Sequence, residues 1–326
     1  MSIYINSLWL KLMVFIRDST QKLSVIHKTA RFYPDSCRSF GSGAVQPFNG
    51  TLFHVRSDCT CTLTSFTHNR VDCTITTRRG RNGLQEHVEI LINRIRTVLH
   101  NGSIQVEETK NVPLPFDHMY QHIFPFGIYT KLRSSVIPLS VVWHSVPGGI
   151  DTLWIEIEQE LDTDMEGLCG THLRSITSET HFGFSEFRLS LIFSLFTHFV
   201  LFSQGCREFL SFTLDCLTHM TSDYINVCEE NMYNYEQNEF IRCSFFQEVV
   251  RQCKHMGHIG DKWRRITQCR EPTCPGDLLY VEEGAAFIPS CLNPKIDSYE
   301  LTSSCVCPAG ESIYVILKSS LRNIAT

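Results

Sequence analysis

Cysteine is the residue type whose number and spacing offer this chain most chemistry. Fifteen occur in 326 residues. Two thiols that each give up an electron form a cross-link, and thiolates in closely spaced pairs ligate zinc. Cys37, Cys59, Cys61 and Cys73 lie early, Cys169 stands apart, and ten more run from Cys206 to Cys307. Zinc motifs need pairs spaced by two or more residues. Here only Cys59-Thr60-Cys61 and Cys305-Val306-Cys307 come near, each with a single intervening residue. The density therefore points to disulfides formed in an oxidising compartment, with zinc as the rival reading. Because the total is odd, at least one cysteine is free or paired with another chain, unless the product is truncated or altered.

Other chemistry finds less support. His118-Met119-Tyr120-Gln121-His122 spaces two histidines as a zinc pair would need, but only on a helix, and its setting is rich in strand signals. Glu156, Glu158 and Glu160 alternate with Ile155, Ile157 and Leu161, as the wet face of a strand does. No nucleophile elbow or papain-like motif accompanies the scattered histidines. The residues name no catalytic set, no metal ligands and no cofactor site. The net charge of -5 supplies no basic field for nucleic acid. Arg78-Arg79-Gly80-Arg81-Asn82-Gly83 reads as a solvated basic turn.

The elements that must position these residues are mainly β. From Glu86 to Gly170, blocks such as Val88-Glu89-Ile90-Leu91-Ile92 and Leu153-Trp154-Ile155-Glu156-Ile157 alternate with a period near two. This predicts antiparallel strands with one face in a core and the other in water. Asn101-Gly102, Pro113-Leu114-Pro115, Pro125-Phe126-Gly127 and Pro147-Gly148-Gly149 punctuate them, so a β-sandwich is expected. Asn49-Gly50 predicts an earlier hairpin, and strands follow near Cys59 and Cys73. Asn49-Gly50-Thr51 and Asn101-Gly102-Ser103 fit the N-glycosylation pattern at exposed turns. Past Cys206 the period becomes helical: Phe212, Cys216, Met220, Tyr224 and Cys228 share one face, as do Cys243, Phe246, Val250 and Cys253. Two apolar runs stand outside this scheme. Leu8 to Ile16 reads as an imperfect entry signal interrupted by Lys11, consistent with an internal piece or an alternative product of a longer precursor. Leu189 to Ser203 leaves three readings: a short membrane helix, a buried element, or a segment from an altered transcript.

The order Cys37, Pro47-Phe48-Asn49-Gly50, Cys59, Cys73, Asn101-Gly102, Leu114-Pro115 and Gly167-Leu168-Cys169-Gly170 resembles a von Willebrand factor type D domain. The resemblance implies a bridge from Cys37 to Cys169 across the domain. Two departures alter what it implies. Thr171-His172-Leu173-Arg174-Ser175-Ile176 stands where the family holds calcium with clustered oxygen ligands, so calcium is disfavoured and no cofactor is expected. Glu166 takes the first cysteine place of the family's disulfide-exchange motif, which removes the exchanging thiol. Cys206, Cys216, Cys228, Cys243, Cys253 and Cys269, with Lys262-Trp263-Arg264, resemble the eight-cysteine module that follows type D domains, less one cysteine in the stretch Glu229 to Tyr233. Cys274-Pro275-Gly276, Cys291 and Cys305-Val306-Cys307-Pro308 resemble a trypsin-inhibitor-like module, thinned of cysteine around Glu282, Ala286 and Ile288.

The expected organisation is an N-terminal extension (1–36), a type D domain (37–173), an apolar insertion or linker (174–205), an eight-cysteine-like module (206–270), a trypsin-inhibitor-like module (271–310) and a tail (311–326). His68-Asn69-Arg70 to Arg79, and Tyr120 to Leu161, look closest to an otogelin within the otogelin and gel-forming mucin families. The resemblance implies a secreted, non-enzymatic matrix glycoprotein whose partners are other matrix glycoproteins or itself, without nucleic acid, and with membrane contact left open. A secreted β-rich hydrolase and a membrane-anchored binding module are the alternatives.

Overall fold

The computed structural model describes residues 36–158, 165–170, 206–210, 214–217, 221–235, 237–253, 262–286 and 300–306. The entry-signal stretch, the 171–176 loop, the apolar run at 189–203, the tail, Glu160, Cys291 and Cys307 lie outside these residues.

Thirteen antiparallel strands form the first part. They are β1 (Ser36–Phe40), β2 (Ala44–Gln46), β3 (Phe53–His54), β4 (Cys61–His68), β5 (Val71–Arg79), β6 (Gln85–Ile92) and β7 (Ile95–His100), then β8 (Ser103–Val106), β9 (Phe116–His118), β10 (Gln121–Phe126), β11 (Tyr129–Ser134), β12 (Leu139–Val146) and β13 (Gly149–Ile157). One ladder runs β3-β2-β1-β13-β12-β11-β10-β9, and a second runs β4-β5-β6-β7-β8. A single register pair, Ile150 with Gln85, joins them. Residues of both ladders, among them Leu63, Ile75, Val88, Ile90, Leu132, Val141, Leu153 and Ile155, share one buried core. Each large apolar side chain so buried contributes roughly 1.5–3 kcal/mol.

Sequence explains the second ladder's register. The pairs His68 with Val71, Ile92 with Ile95, and His100 with Ser103 leave two-residue turns. Asn69-Arg70, Asn93-Arg94 and Asn101-Gly102 fill them with positive φ at both positions. Asparagine tolerates that region, and such turns match the twist of the flanking strands.

The expected half-wet strand fails at the centre of the first ladder. Seven of the nine residues of β13 are buried consecutively, from Gly149 to Ile155. Leu153 and Ile155 face the shared core. The helix Glu239–Gln252 packs on β1 and β13 from the other side. A central strand covered on both faces loses its alternation.

The second part is helical: a turn of helix at 206–210, then α1 (Leu214–Leu217), α2 (Thr221–Met232), α3 (Glu239–Gln252) and α4 (Lys262–Thr267). Asn238 caps α3, its side chain accepting from the backbone N–H of Phe240 and Ile241, which satisfies donors the helix start leaves open. A separate core of Phe209, Leu210, Tyr224, Phe245, Val249 and Trp263 reaches into the sheet through Phe40 and Ala44. A two-stranded hairpin, β14 (Leu279–Ala285) and β15 (Leu301–Val306), completes the described chain.

Candidate functional site

Among the described residues, five disulfides organise the molecule. Cys37 bonds Cys169 over 132 residues of chain. Cys206 bonds Cys228, Cys216 bonds Cys253, and Cys243 bonds Cys269, so all six cysteines of 206–270 are paired. Cys274 bonds Cys305 at the base of the hairpin. A β-bulge positions the longest staple. The β4–β5 register slips between Thr62 and Thr64, and the freed carbonyls of Thr62 and Leu63 accept from the N–H groups of Leu168 and Cys169 at 3.0 and 2.7 Å. Gly167 sits there at φ +97°, where a Cβ would lie 2.7 Å from the Leu63 oxygen. Only glycine allows that approach. Glu166 is exposed and exchanges backbone hydrogen bonds with Ser65.

Between sheet and helices lies a buried ionic cluster. Arg38 of β1 reaches Glu248 of α3 at 3.1 Å, with side chains 8% and 1% exposed. Trp154 Nε1 donates to the other Glu248 oxygen at 3.2 Å, and Arg251 pairs with that same oxygen. The Arg251 guanidinium lies 4.2 Å from the Trp154 ring centroid and donates to the Tyr129 hydroxyl. Burial opposes charge on Arg251, but Tyr129 and Glu248 outweigh it and hold its pKa above the usual arginine range. Two cations and one anion, each with directed partners, thus bind β1, β11 and β13 to one helix turn. Next to them, His144 stands 3.0 Å from Asp151. Burial works against its charge, yet the Asp151 carboxylate prevails and raises its pKa.

A second contact is built on backbone. Ser42 N–H donates to Asn231 Oδ1 at 2.7 Å, and Ser42 Oγ donates to the Asn231 carbonyl at 2.8 Å. Asn231 Nδ2 donates onward to the Ile241 carbonyl at 3.3 Å, tying α2 to α3. Buried Arg79 donates to Gly41 O and Ser39 Oγ, and burial lowers its pKa to about 10. Because Ser42 Oγ spends its proton on Asn231, it accepts from His54 Nε2 at 3.0 Å. His54 Nδ1 lies 3.5 Å from Glu230, an approach that by itself favours protonation. Burial, Arg79 and Arg56 prevail and lower the His54 pKa to about 3, leaving the ring neutral.

The hairpin docks on the same body. Gly127 N–H donates to the Ala286 carbonyl at 2.7 Å, and Ile128 N–H to the Ser303 carbonyl at 3.0 Å. Lys131 binds Glu156 at 3.1 Å and Glu300 at 3.6 Å. Arg264 binds Glu282 at 2.6 Å between the Trp263 and Tyr280 rings.

The remaining sequence-derived residues fall as follows. Cys59 and Cys61 are free thiols, exposed and half-buried respectively, and Cys73 is a free thiol in the core. Cys59 and Cys73, expected in disulfides, have no sulfur partner among the described residues. Phe66 and Ile92 flank Cys73 in register, and burial raises its pKa to about 12. His118 and His122 lie on the two strands of a hairpin, not on a helix, and His122 binds Asp117 at 2.8 Å. Glu156 and Glu158 are engaged by Lys131 and Arg133. Asn49 and Asn101 are exposed at turns. Among the described residues, no group of three or more His, Cys, Asp or Glu side chains is placed to hold a metal, and no helix is long and apolar enough to cross a membrane.

Sequence reading did not single out Arg38, Asn231, Glu248 or Arg251. One signal was present for Glu248: it follows Ile241 by seven positions, on the buried stripe that also carries Ser244, Phe245 and Val249. A carboxylate on such a stripe needs a buried partner.

Comparison with known proteins agrees with this architecture. Residues 206–270 match the C8 domain family. Mucin-19 of Mus musculus is 26% identical over 287 residues, covering 83% of this chain and 4% of that protein. Mucin-6 of Homo sapiens is 21% identical over 84% of this chain and 12% of its own length. Mucin-2 of Rattus norvegicus is 23% identical over 87% of this chain and 20% of its own length. The chain thus spans at most a fifth of these three relatives. With its large antiparallel sheet, its three-bridge helical segment and its cysteine-stapled hairpin, it is a disulfide-rich module homologous to the mucins, in which residues 206–270 match the C8 domain family.

Proposed function

We propose that this chain is a secreted structural and assembly module of an otogelin- or mucin-like glycoprotein, contributing to an acellular matrix or gel such as those of the inner ear. The carrying observation is the buried Arg38, Glu248 and Arg251 cluster, which joins sheet and C8 helices into one body that the five disulfides staple. A polymer subunit needs such stiffness more than it needs a cleft. Its partners are other matrix glycoproteins or further copies of the same glycoprotein, and Asn49 and Asn101 carry N-linked sugar. The 37–173, 206–270 and 271–310 segments act as successive modules of one body, with calcium disfavoured.

Expression in a secretory cell line, followed by nonreducing disulfide mapping of the medium, tests this reading. The expected product is exported, glycosylated at Asn49 and Asn101, and bridged from Cys37 to Cys169. A fully reduced product retained in the cytosol would overturn it.

A further inference from the structure

The β6–β7 hairpin carries a feature that the scaffold role does not use. His87 lies directly opposite His100 in the strand register, and their ring centroids are 5.9 Å apart. Residues so paired project on the same face of the sheet. Their chain neighbours Val88 and Leu99 point the other way, into the core, so the two imidazoles stand on the outer face, both half-buried. They mark the end of the hairpin remote from the Asn93-Arg94 turn.

The hydrogen bonding fixes one ring. His100 Nδ1 lies 3.0 Å from the Glu86 carbonyl oxygen. A carbonyl only accepts, so Nδ1 is the donor there, which leaves Nε2 as the nitrogen that can offer a lone pair to a ligand. A backbone carbonyl on the far nitrogen is the support that metal-binding histidines ordinarily have. His87 faces His100 from β6. Its Nε2 is 3.9 Å from Glu89 Oε2, beyond hydrogen-bond range. Two ion pairs, Arg78 with Glu86 and Arg96 with Glu89, flank the two rings.

We propose that His87 and His100 form a two-imidazole site for a borderline divalent transition-metal ion, with water completing its coordination. Neutral imidazole suits zinc, copper and nickel and does not suit calcium or magnesium. The bound ion clips β6 to β7 at the end that the turn does not hold. This site is independent of the matrix role proposed above.

Zinc is the probe. The full secreted chain is stripped of metal, and Cys59 and Cys61 are alkylated so that their thiols do not compete. Histidines are then labelled with diethyl pyrocarbonate over a zinc titration, and each site is read by peptide mass mapping. His87 and His100 are expected to become protected together over one zinc range, with labelling slowed about tenfold or more at saturation. His87→Gln should shift the protection of His100 to about tenfold higher zinc or beyond. Unchanged labelling of either histidine, protection over two separate zinc ranges, or an unaltered His100 curve in His87→Gln would overturn the site. The first measurement needs no variant, so it stands if His87→Gln does not fold.

Discussion

At the scale of single residues, the cluster around Glu248 carries the largest electrostatic stake. Removing a carboxylate that is 1% exposed and faces Arg38 and Arg251 leaves two buried cations without their anion. Glu248→Ala should therefore cost about 3–5 kcal/mol, read as a lowered urea midpoint. His54 supplies a pH dependence of known sign. Its folded pKa is depressed to about 3, so below its ordinary value near 6.5 the unfolded chain binds a proton that the folded chain refuses. Stability from neutral His54 is present above pH 6.5 and is lost as pH falls toward 3, at up to ~1.4 kcal/mol per unit. His54→Gln should flatten the stability profile between pH 6.5 and 4. A profile as steep as that of the unsubstituted chain would show that His54 titrates freely. Sequence made the cysteines visible because density and spacing express their chemistry directly. Glu248 and His54 stayed hidden because their character depends on burial by segments distant in the chain, as with Arg38 for Glu248 and Glu230 for His54.

At the scale of elements, hairpins were legible and docking was not. Asn101-Gly102 announced its turn, since few residues take positive φ twice in succession. Asn69-Arg70 and Asn93-Arg94 adopt the same geometry with weaker signals. The alternation of β13 misled because a helix covers the face expected to be wet, and that partner lies about ninety residues further along the chain. The Gly41 turn shows how finely the two parts fit. At φ +58°, with a hypothetical Cβ 2.1 Å from Asn231 Oδ1, Gly41 tolerates no side chain. Gly41→Ala should cost on the order of 1–3 kcal/mol, and protease cleavage within 206–270 should quicken. In a double-mutant cycle with Asn231→Ala the two effects should fall short of additive, because both remove the same contact. Additivity would place the cost of Gly41→Ala in backbone strain alone.

At the scale of the whole molecule, the disulfides among the described residues divide the chain into a stapled sheet, a three-bridge helical segment and a stapled hairpin. The resemblance visible in the sequence implied the first staple, whereas the lock between sheet and helices needed coordinates. Cys37→Ser with Cys169→Ser should lower stability by about 2–5 kcal/mol, measured by urea unfolding of the secreted chain. The same bond has a mechanical meaning. If a subunit of a gel is pulled at residues 36 and 170, tension passes from β1 into Cys37, across the sulfur pair and out through Cys169. The chain between them, a sequence separation of 132, lies on a slack loop. The sheet then carries no load, and the module behaves under stretch as a short inextensible link. Reduction would convert it into a spring with about 450 Å of hidden contour length. Single-molecule pulling from those two points should release that extension with reductant present and not without it.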